Sequence, residues 1–273
     1  MTNNQHVLAR PLDDDDAPVG RILTRREILA LLGASGIAAA CAPGAVATAT
    51  PTAAASAART TAPTASVAAT TGGAVTVPSC IVRPALTEGP YFVDEKLNRS
   101  DITIEPSSGA VKPGILLALR FNVARVTSSA CTALQGAQVD VWHCDALGVY
   151  SDASDPSFNT KGQKFLRGYQ VTDASGIVTF TTIYPGWYQG RAVHVHFKIR
   201  MTNGVQTSDF TSQLFFDEGV TAQVFAQSPY SQKGSGWMKN AQDGIYTGGG
   251  EKLLVKPVLS TGTYAATFDI GLA

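Results

Sequence analysis

Short apolar runs with partial two-residue alternation recur along the last two thirds of the chain. They cover residues 115–126 (ILLALRFNVARV), 137–144 (AQVDVWHC), 177–183 (IVTFTTI), 192–200 (AVHVHFKIR), 213–216 and 264–270. In extended backbone, successive side chains point to opposite faces, so such runs predict strands. Lys112-Pro113-Gly114, Asp173-Ala174-Ser175-Gly176 and Tyr184-Pro185-Gly186 separate them with turn chemistry. No helical period extends beyond about two turns, and no internal repeat is present. The pattern predicts an all-β domain over residues 78–273, an antiparallel β-sandwich with long loops.

The preceding residues read differently. Thr24-Arg25-Arg26-Glu27-Ile28-Leu29 is a twin-arginine pair leading into an apolar run, 28–40, broken by Gly33 and Gly36. The run falls short of the roughly 20 residues of a membrane span and fits a signal segment over 1–41 better than an amphipathic helix, since no polar face recurs. Ala38-Ala39-Ala40 before Cys41 resembles a lipoprotein cleavage box, although Ala38 stands where Leu is usual. A lipidated Cys41 anchored to a membrane and simple cleavage after the alanines are both open. Either predicts an extracytoplasmic protein. The twin-arginine route usually carries folded proteins, often with a cofactor inside. Residues 42–77 are almost wholly Ala, Thr, Ser, Pro and Gly, with one charge, Arg59, and no aromatic residue. Such a segment buries too little apolar surface to offset its ordering entropy and predicts a disordered linker.

Composition narrows the function. Lys+Arg 21 balance Asp+Glu 21 in 273 residues, which argues against a nucleic-acid binder. With 15% charged residues, Gly 26 and Pro 14, a coiled coil is excluded. Three cysteines lie beyond Cys41. An exported chain meets an oxidising compartment. Cys80 and Cys131 sit in loop-like segments flanking strands and are the expected disulfide. Cys144 ends an apolar strand and is expected to be a buried free thiol. No C-x-x-C pair supports a thiolate metal site.

The domain has three histidines, His143, His194 and His196. The last two form His194-Val195-His196 inside a strand-like run, so both imidazoles share one face and can reach one point. Alone, the pair fits a metal site or two half-buried strand histidines. Tyr188 lies six residues before His194, and Arg191 three before it. A cupin would want a Glu three or four residues after the pair, where Ile199 and Arg200 stand. The two-His-one-carboxylate triad of Fe(II) oxygenases lacks its Asp or Glu as well.

Several motifs, taken in order, resemble the intradiol ring-cleavage dioxygenases. They are Glu88-Gly89-Pro90-Tyr91-Phe92; Gly136-Ala137-Gln138-Val139-Asp140-Val141-Trp142 with Gly148-Val149-Tyr150; Arg167-Gly168; Thr172-Asp173 through Thr182-Ile183; Pro185-Gly186-Trp187-Tyr188; Arg191-Ala192-Val193-His194-Val195-His196; and Gln213-Leu214-Phe215-Phe216. The resemblance implies one Fe(III) per chain held by Tyr150, Tyr188, His194 and His196. Hard phenolate oxygens suit a hard trivalent ion, and coordination would remove their protons. It further implies that a catechol-type diol and O2 are the substrates and a muconate-type dicarboxylic acid the product. Tyr188 would double as general base, Arg191 would stabilise negative charge, and Gln213 would assist by hydrogen bonding. His143 is expected to be a packed or hydrogen-bonded neighbour of the site, and Tyr91 to line the pocket. The short polar loop 158–165 (FNTKGQKF) suggests an open pocket.

The helical N-terminal region that makes a dimer in the better-known relatives is replaced here by signal and linker, so the oligomeric state is left open. A competing reading is a non-enzymatic cell-surface sandwich that binds sugars or cell wall through Trp187, Tyr188 and Trp237. It gives the histidine pair and Tyr150 no shared purpose. Zinc or copper on the same scaffold is disfavoured, because phenolate pairs prefer ferric iron.

Overall fold

A computed structural model describes residues 80–203 and 206–273; the expected signal segment, linker and Cys41 lie outside them. In chain order the strands are β1 (Leu116–Val126), β2 (Cys131–Ala133), β3 (Gln138–Trp142), β4 (Ser154–Asp155), β5 (Phe158–Asn159), β6 (Arg167–Val171), β7 (Ile177–Ile183), β8 (His194–Asn203), β9 (Gln206–Phe216), β10 (Leu254–Val255), β11 (Val258–Ser260) and β12 (Thr263–Leu272). One sheet runs β11-β12-β1-β2, with β7 also paired to β1; the other runs β10-β9-β8-β3-β6. Between β9 and β10 lie two helices, α1 (Glu218–Phe225) and α2 (Gly244–Thr247).

The sheets are mixed, which corrects the antiparallel expectation. β1 and β12 run parallel from Leu117↔Tyr264 to Arg125↔Leu272, and β10 runs parallel to β9. Alternation encodes which face of a strand is buried. It carries no information on the direction of a partner more than a hundred residues away, and neither parallel pair is joined by a hairpin.

The two sheets share one core. Leu117, Leu119, Phe121 and Val123 of β1, with Phe268 and Ile270 of β12, are buried against Val139, Val141, Val195, Phe197 and Ile199 of β3 and β8. The Phe197 ring lies 5.3 Å from Phe121 and 5.5 Å from Phe268, centroid to centroid. Each such side chain contributes about 1.5–3 kcal/mol on full burial. α1 closes one end, with Asp217 accepting the Val220 amide as its cap and Val220, Val224 and Phe225 buried. Cys80 and Cys131 are joined in a disulfide, Cα to Cα 5.8 Å, while Cys144 is free and buried. Among the described residues no helix is long and apolar enough to cross a membrane.

Because Val139, Val141, Val195 and Phe197 point into this core, their neighbours point the other way. Pairing puts Trp142 opposite Arg167 and His196, and His196 opposite Gln213. Directly opposite residues share a face, so one row reads Arg167, Trp142, His196, Gln213. All four are buried. An outward row can be buried only if another segment covers it, and here residues 87–92 do so.

Candidate active site

The register of β8 and β9 brings His194, His196 and Gln213 to one patch. Thr87 O accepts the Gln213 side-chain amide (2.9 Å), Tyr91 O accepts Arg167 Nη1 (3.2 Å), and Glu88 is ion-paired with Lys198. The covering segment is thus tied to three strands. Gly89 has φ +73°, and a Cβ there would stand 3.0 Å from His196 Cε1. Only glycine fits both the left-handed backbone and the contact.

Two loops deliver the phenols. Asp145 Oδ1 accepts the amides of Leu147 and Val149, both at 3.0 Å, folding the turn that ends at buried Tyr150. Pro185-Gly186-Trp187-Tyr188 brings in the second. The Tyr188 ring centroid lies 5.6 Å from both Tyr150 and His194. Tyr150 Oη stands 3.4 Å from His194 Nε2, and the two histidine Nε2 atoms are 3.0 Å apart. Tyr91 stacks on Tyr150 at 4.5 Å, with its hydroxyl donating to Asp155 Oδ2 (2.7 Å), and Trp142 stacks on His196 at 5.0 Å and 7°.

Arg191 closes the group. Its Nε donates to Asp243 Oδ2 (2.9 Å) and its Nη2 to Gln213 Oε1 (2.6 Å). Asp243 also accepts the Ala192 amide (2.8 Å) and, through Oδ1, the first amides of α2. Burial pushes the Asp243 carboxyl up, but Arg191, the Ala192 amide and His194 outweigh it and hold it below the ordinary carboxylate range.

The donor set can be tested against a cation. Burial, with Arg191 adding to it, pulls His194 down to about 3 and His196 well below the imidazole range, so both rings are neutral near pH 7. His194 Nδ1–H donates to Ala192 O (2.7 Å), which leaves its Nε2 a bare lone pair. His196 Nδ1 is buried without a hydrogen-bond partner, and its Nε2 faces that of His194. Two imidazole nitrogens each about 2.1 Å from one ion, at right angles, stand about 3.0 Å apart, the separation found. Burial raises Tyr150 well above the ordinary phenol and Tyr188 up to about 12, with Arg191 opposing in both. Such phenols ionise only beside added positive charge. The set therefore fits a hard, highly charged ion. Among the described residues no three His, Cys, Asp or Glu side chains converge, so without the phenols there is no site.

A family model described as "Dioxygenase" matches residues 87–238, the stretch carrying all of these groups but Asp243. The chain belongs to the intradiol ring-cleavage dioxygenase family. An intradiol ring-cleavage dioxygenase from Tetranychus urticae is 33% identical, with a TM-score of 0.61, covering 71% of this chain and 94% of its own. The dioxygenase domain of a dioxygenase carbohydrate-binding protein fusion from Streptomyces sp. SirexAA-E is 29% identical, with a TM-score of 0.50, covering 70% and 98%. A catechol 1,2-dioxygenase of Candida albicans is 33% identical over 113 residues, which are 38% of this chain and 33% of that protein. The match thus spans about a third of this curated relative's length. Intradiol dioxygenases act at family level by cleaving catechol-type rings with O2, and depend on iron.

Of the residues singled out from sequence, Tyr150, Tyr188, Arg191, His194, His196 and Gln213 come together, and Tyr91 joins them. His143 stands aside, bonded through Nδ1 to Cys144 O (2.8 Å) and through Nε2 to Thr182 Oγ1 (2.7 Å). The 158–165 loop does not simply stand open: Phe158 lies 6.1 Å from the Tyr91 ring and Phe165 is buried. An open cavity of about 430 Å³ lies instead beside Tyr188, lined by Trp187, Trp237, Met238 and Gln242 among others. Lys233 and Lys239 stand 4.6 and 3.3 Å from the ring centroids of Trp187 and Trp237, so a cation already occupies one face of each ring. Sequence reasoning missed Asp243 and Trp142. Asp243-Gly244 reads as an ordinary turn, and Trp142 as ordinary strand packing. Only their registers reveal their partners.

Proposed function

We propose that this dioxygenase cleaves a catechol-type diol between its two hydroxylated carbons, inserting both atoms of O2 to give a muconate-type dicarboxylic acid. Tyr150, Tyr188, His194 and His196 would hold a single Fe(III). The observation that carries the reading is the convergence of two neutral imidazoles, their Nε2 atoms 3.0 Å apart, with two buried phenols. The chemistry a bound Fe(III) supplies is withdrawal of electron density from the diolate, opening its ring to O2.

The chain's own residues divide the remaining work. Tyr188, as phenolate, takes a proton at Oη from a diol hydroxyl. Tyr150 is fixed between Tyr91 and His194 and stays a spectator donor. Arg191, held on one side by Asp243 and on the other by Gln213, presents its positive charge to the anion that develops on the diol oxygens. Gln213 acts through Arg191 and through its bond to Thr87 O. The reaction takes place outside the cytoplasm, on the support of the twin-arginine segment at Arg25 and Arg26; cell fractionation checks this.

Purified protein loaded with ferric iron is expected to be reddish from tyrosinate-to-iron charge transfer, to shift that band on addition of catechol, and to consume one O2 per diol. Colourless protein that takes up no O2 after iron loading sinks the assignment.

A further inference from the structure

The two loops that carry the phenols meet backbone to backbone. A Cβ at Gly148 would stand 2.1 Å from Trp187 O and 2.2 Å from Lys233 Nζ, and one at Gly186 2.3 Å from Asp145 O. Gly148 also has φ +84°, where glycine is favoured. The seam leaves no room for a side chain from either loop, yet a third element reaches it. Lys233 ends the short 3₁₀ turn Tyr230–Lys233. Its Nζ donates to Leu147 O and to Trp187 O, both at 2.5 Å. Leu147 lies three residues before Tyr150, and Trp187 immediately precedes Tyr188. The turn is itself anchored, because Tyr230 Oη donates to Tyr184 O (2.7 Å) and accepts from the Ile115 amide (3.2 Å).

We propose that Lys233 is a positioning residue that cross-ties the Tyr150 and Tyr188 loops and so sets the spacing of the two phenols. One ammonium satisfies two carbonyls with charge-assisted bonds, stronger than neutral ones. A side chain of the same length without donors leaves both carbonyls unpaired in a half-buried seam. The bonds of Lys233 go to the two phenol loops and none goes to an imidazole or to Arg191, so its loss acts first on the phenols.

The test uses full-length protein with Lys233→Met, Lys233→Cys and, as a control outside the seam, Lys239→Met. Amide hydrogen exchange on metal-free protein is expected to accelerate at least about tenfold at residues 147–150 and 187–190 in the first two variants, with the core strands unchanged. Lys239→Met exchanges like the parent. With iron loaded, the tyrosinate band shifts and kcat falls at least about tenfold, with KM little changed. Aminoethylation of Lys233→Cys rebuilds a lysine-length amine and restores exchange, band and rate; Cys144 is buried. Parental exchange in Lys233→Met overturns the proposal. So does acceleration spread over the whole domain, or failure of both Lys233 variants to fold, since either assigns Lys233 to the fold alone. The spectroscopic arm rests on the two phenols being iron donors, but the exchange arm does not. Parent protein that binds no iron therefore sinks the proposed function and leaves this inference to be decided by exchange.

Discussion

Both sheets obey the same alternation, yet their outward faces have opposite fates. On the β1 sheet, outward Thr179, Thr181, Ala265 and Thr267 are exposed. On the β8 sheet, outward Arg167, Asp140, His194, His196, Lys198 and Gln213 are buried. The strands do not differ in kind; the difference is that residues 87–92 lie across the second face and leave the first open. A polar residue at an outward strand position is thus ambiguous until its cover is known. Each unpaired buried group on a covered face is destabilising by about 1–3 kcal/mol; here Thr87 O pairs Gln213, Asp243 pairs Arg191 and Glu88 pairs Lys198, while Trp142 Nε1 and His196 Nδ1 are left without partners.

This contrast can be broken at the buried face first. Tyr188→Phe is expected to lower kcat by about 10²–10⁴ while thermal unfolding stays near that of the parent; oxygen uptake and a melting curve check both halves. A normal rate would remove Tyr188 from the proton transfer. Phe121→Ala strikes the core that both sheets share. Its expected loss is about 3–5 kcal/mol in denaturant unfolding, with kcat of the folded fraction unchanged.

Smaller effects sharpen the comparison. Asp243→Asn should lower kcat roughly tenfold by freeing Arg191. It should also reduce stability at neutral pH. The Asp243 carboxyl is held below its ordinary value, so its contribution is present above the unfolded pKa of about 3.9 and vanishes as pH falls through the lower folded value. Unfolding curves of parent and variant should therefore begin to converge below about pH 4 and meet only once the pH is below the folded value. Thr181→Val, on the open face, should change stability by no more than about 0.5 kcal/mol and leave turnover untouched. A large effect there would mean that this face is also covered in solution.

Iron affinity supplies a pH test of the buried face as well. Tyr150 lies well above the ordinary phenol and Tyr188 at about 12, both by burial, so with these phenols as the proposed iron donors protons compete with the ion throughout the accessible range. Apparent affinity should rise with pH between about 6 and 8 in a competition titration.

The strands were legible where both faces of the pattern are strong. Residues 177–183 coincide with β7, and 115–126 and 264–270 fall within one or two residues of β1 and β12. β9 was seen only at 213–216, because its first half, including Thr207, Ser208 and Asp209, is polar and is held by pairing with β8. The histidine pair was legible because period two puts both rings on one face whatever the tertiary structure. Asp243 and Lys233 were not legible: their roles depend on turns that fold back over fifty residues or more to Arg191 and over eighty-six to Leu147, and no local pattern records such a return.

The pairing of β8 has one more implication. Shifting it by a single residue against β3 and β9 would turn both imidazoles into the apolar interior and thrust Val195 and Phe197 outward. A chain that settled in that arrangement would lose its core and its chemistry together. Well-packed but misregistered protein is therefore not an accessible folding error along this strand, and the specific activity of iron-saturated soluble material should report correctly folded molecules.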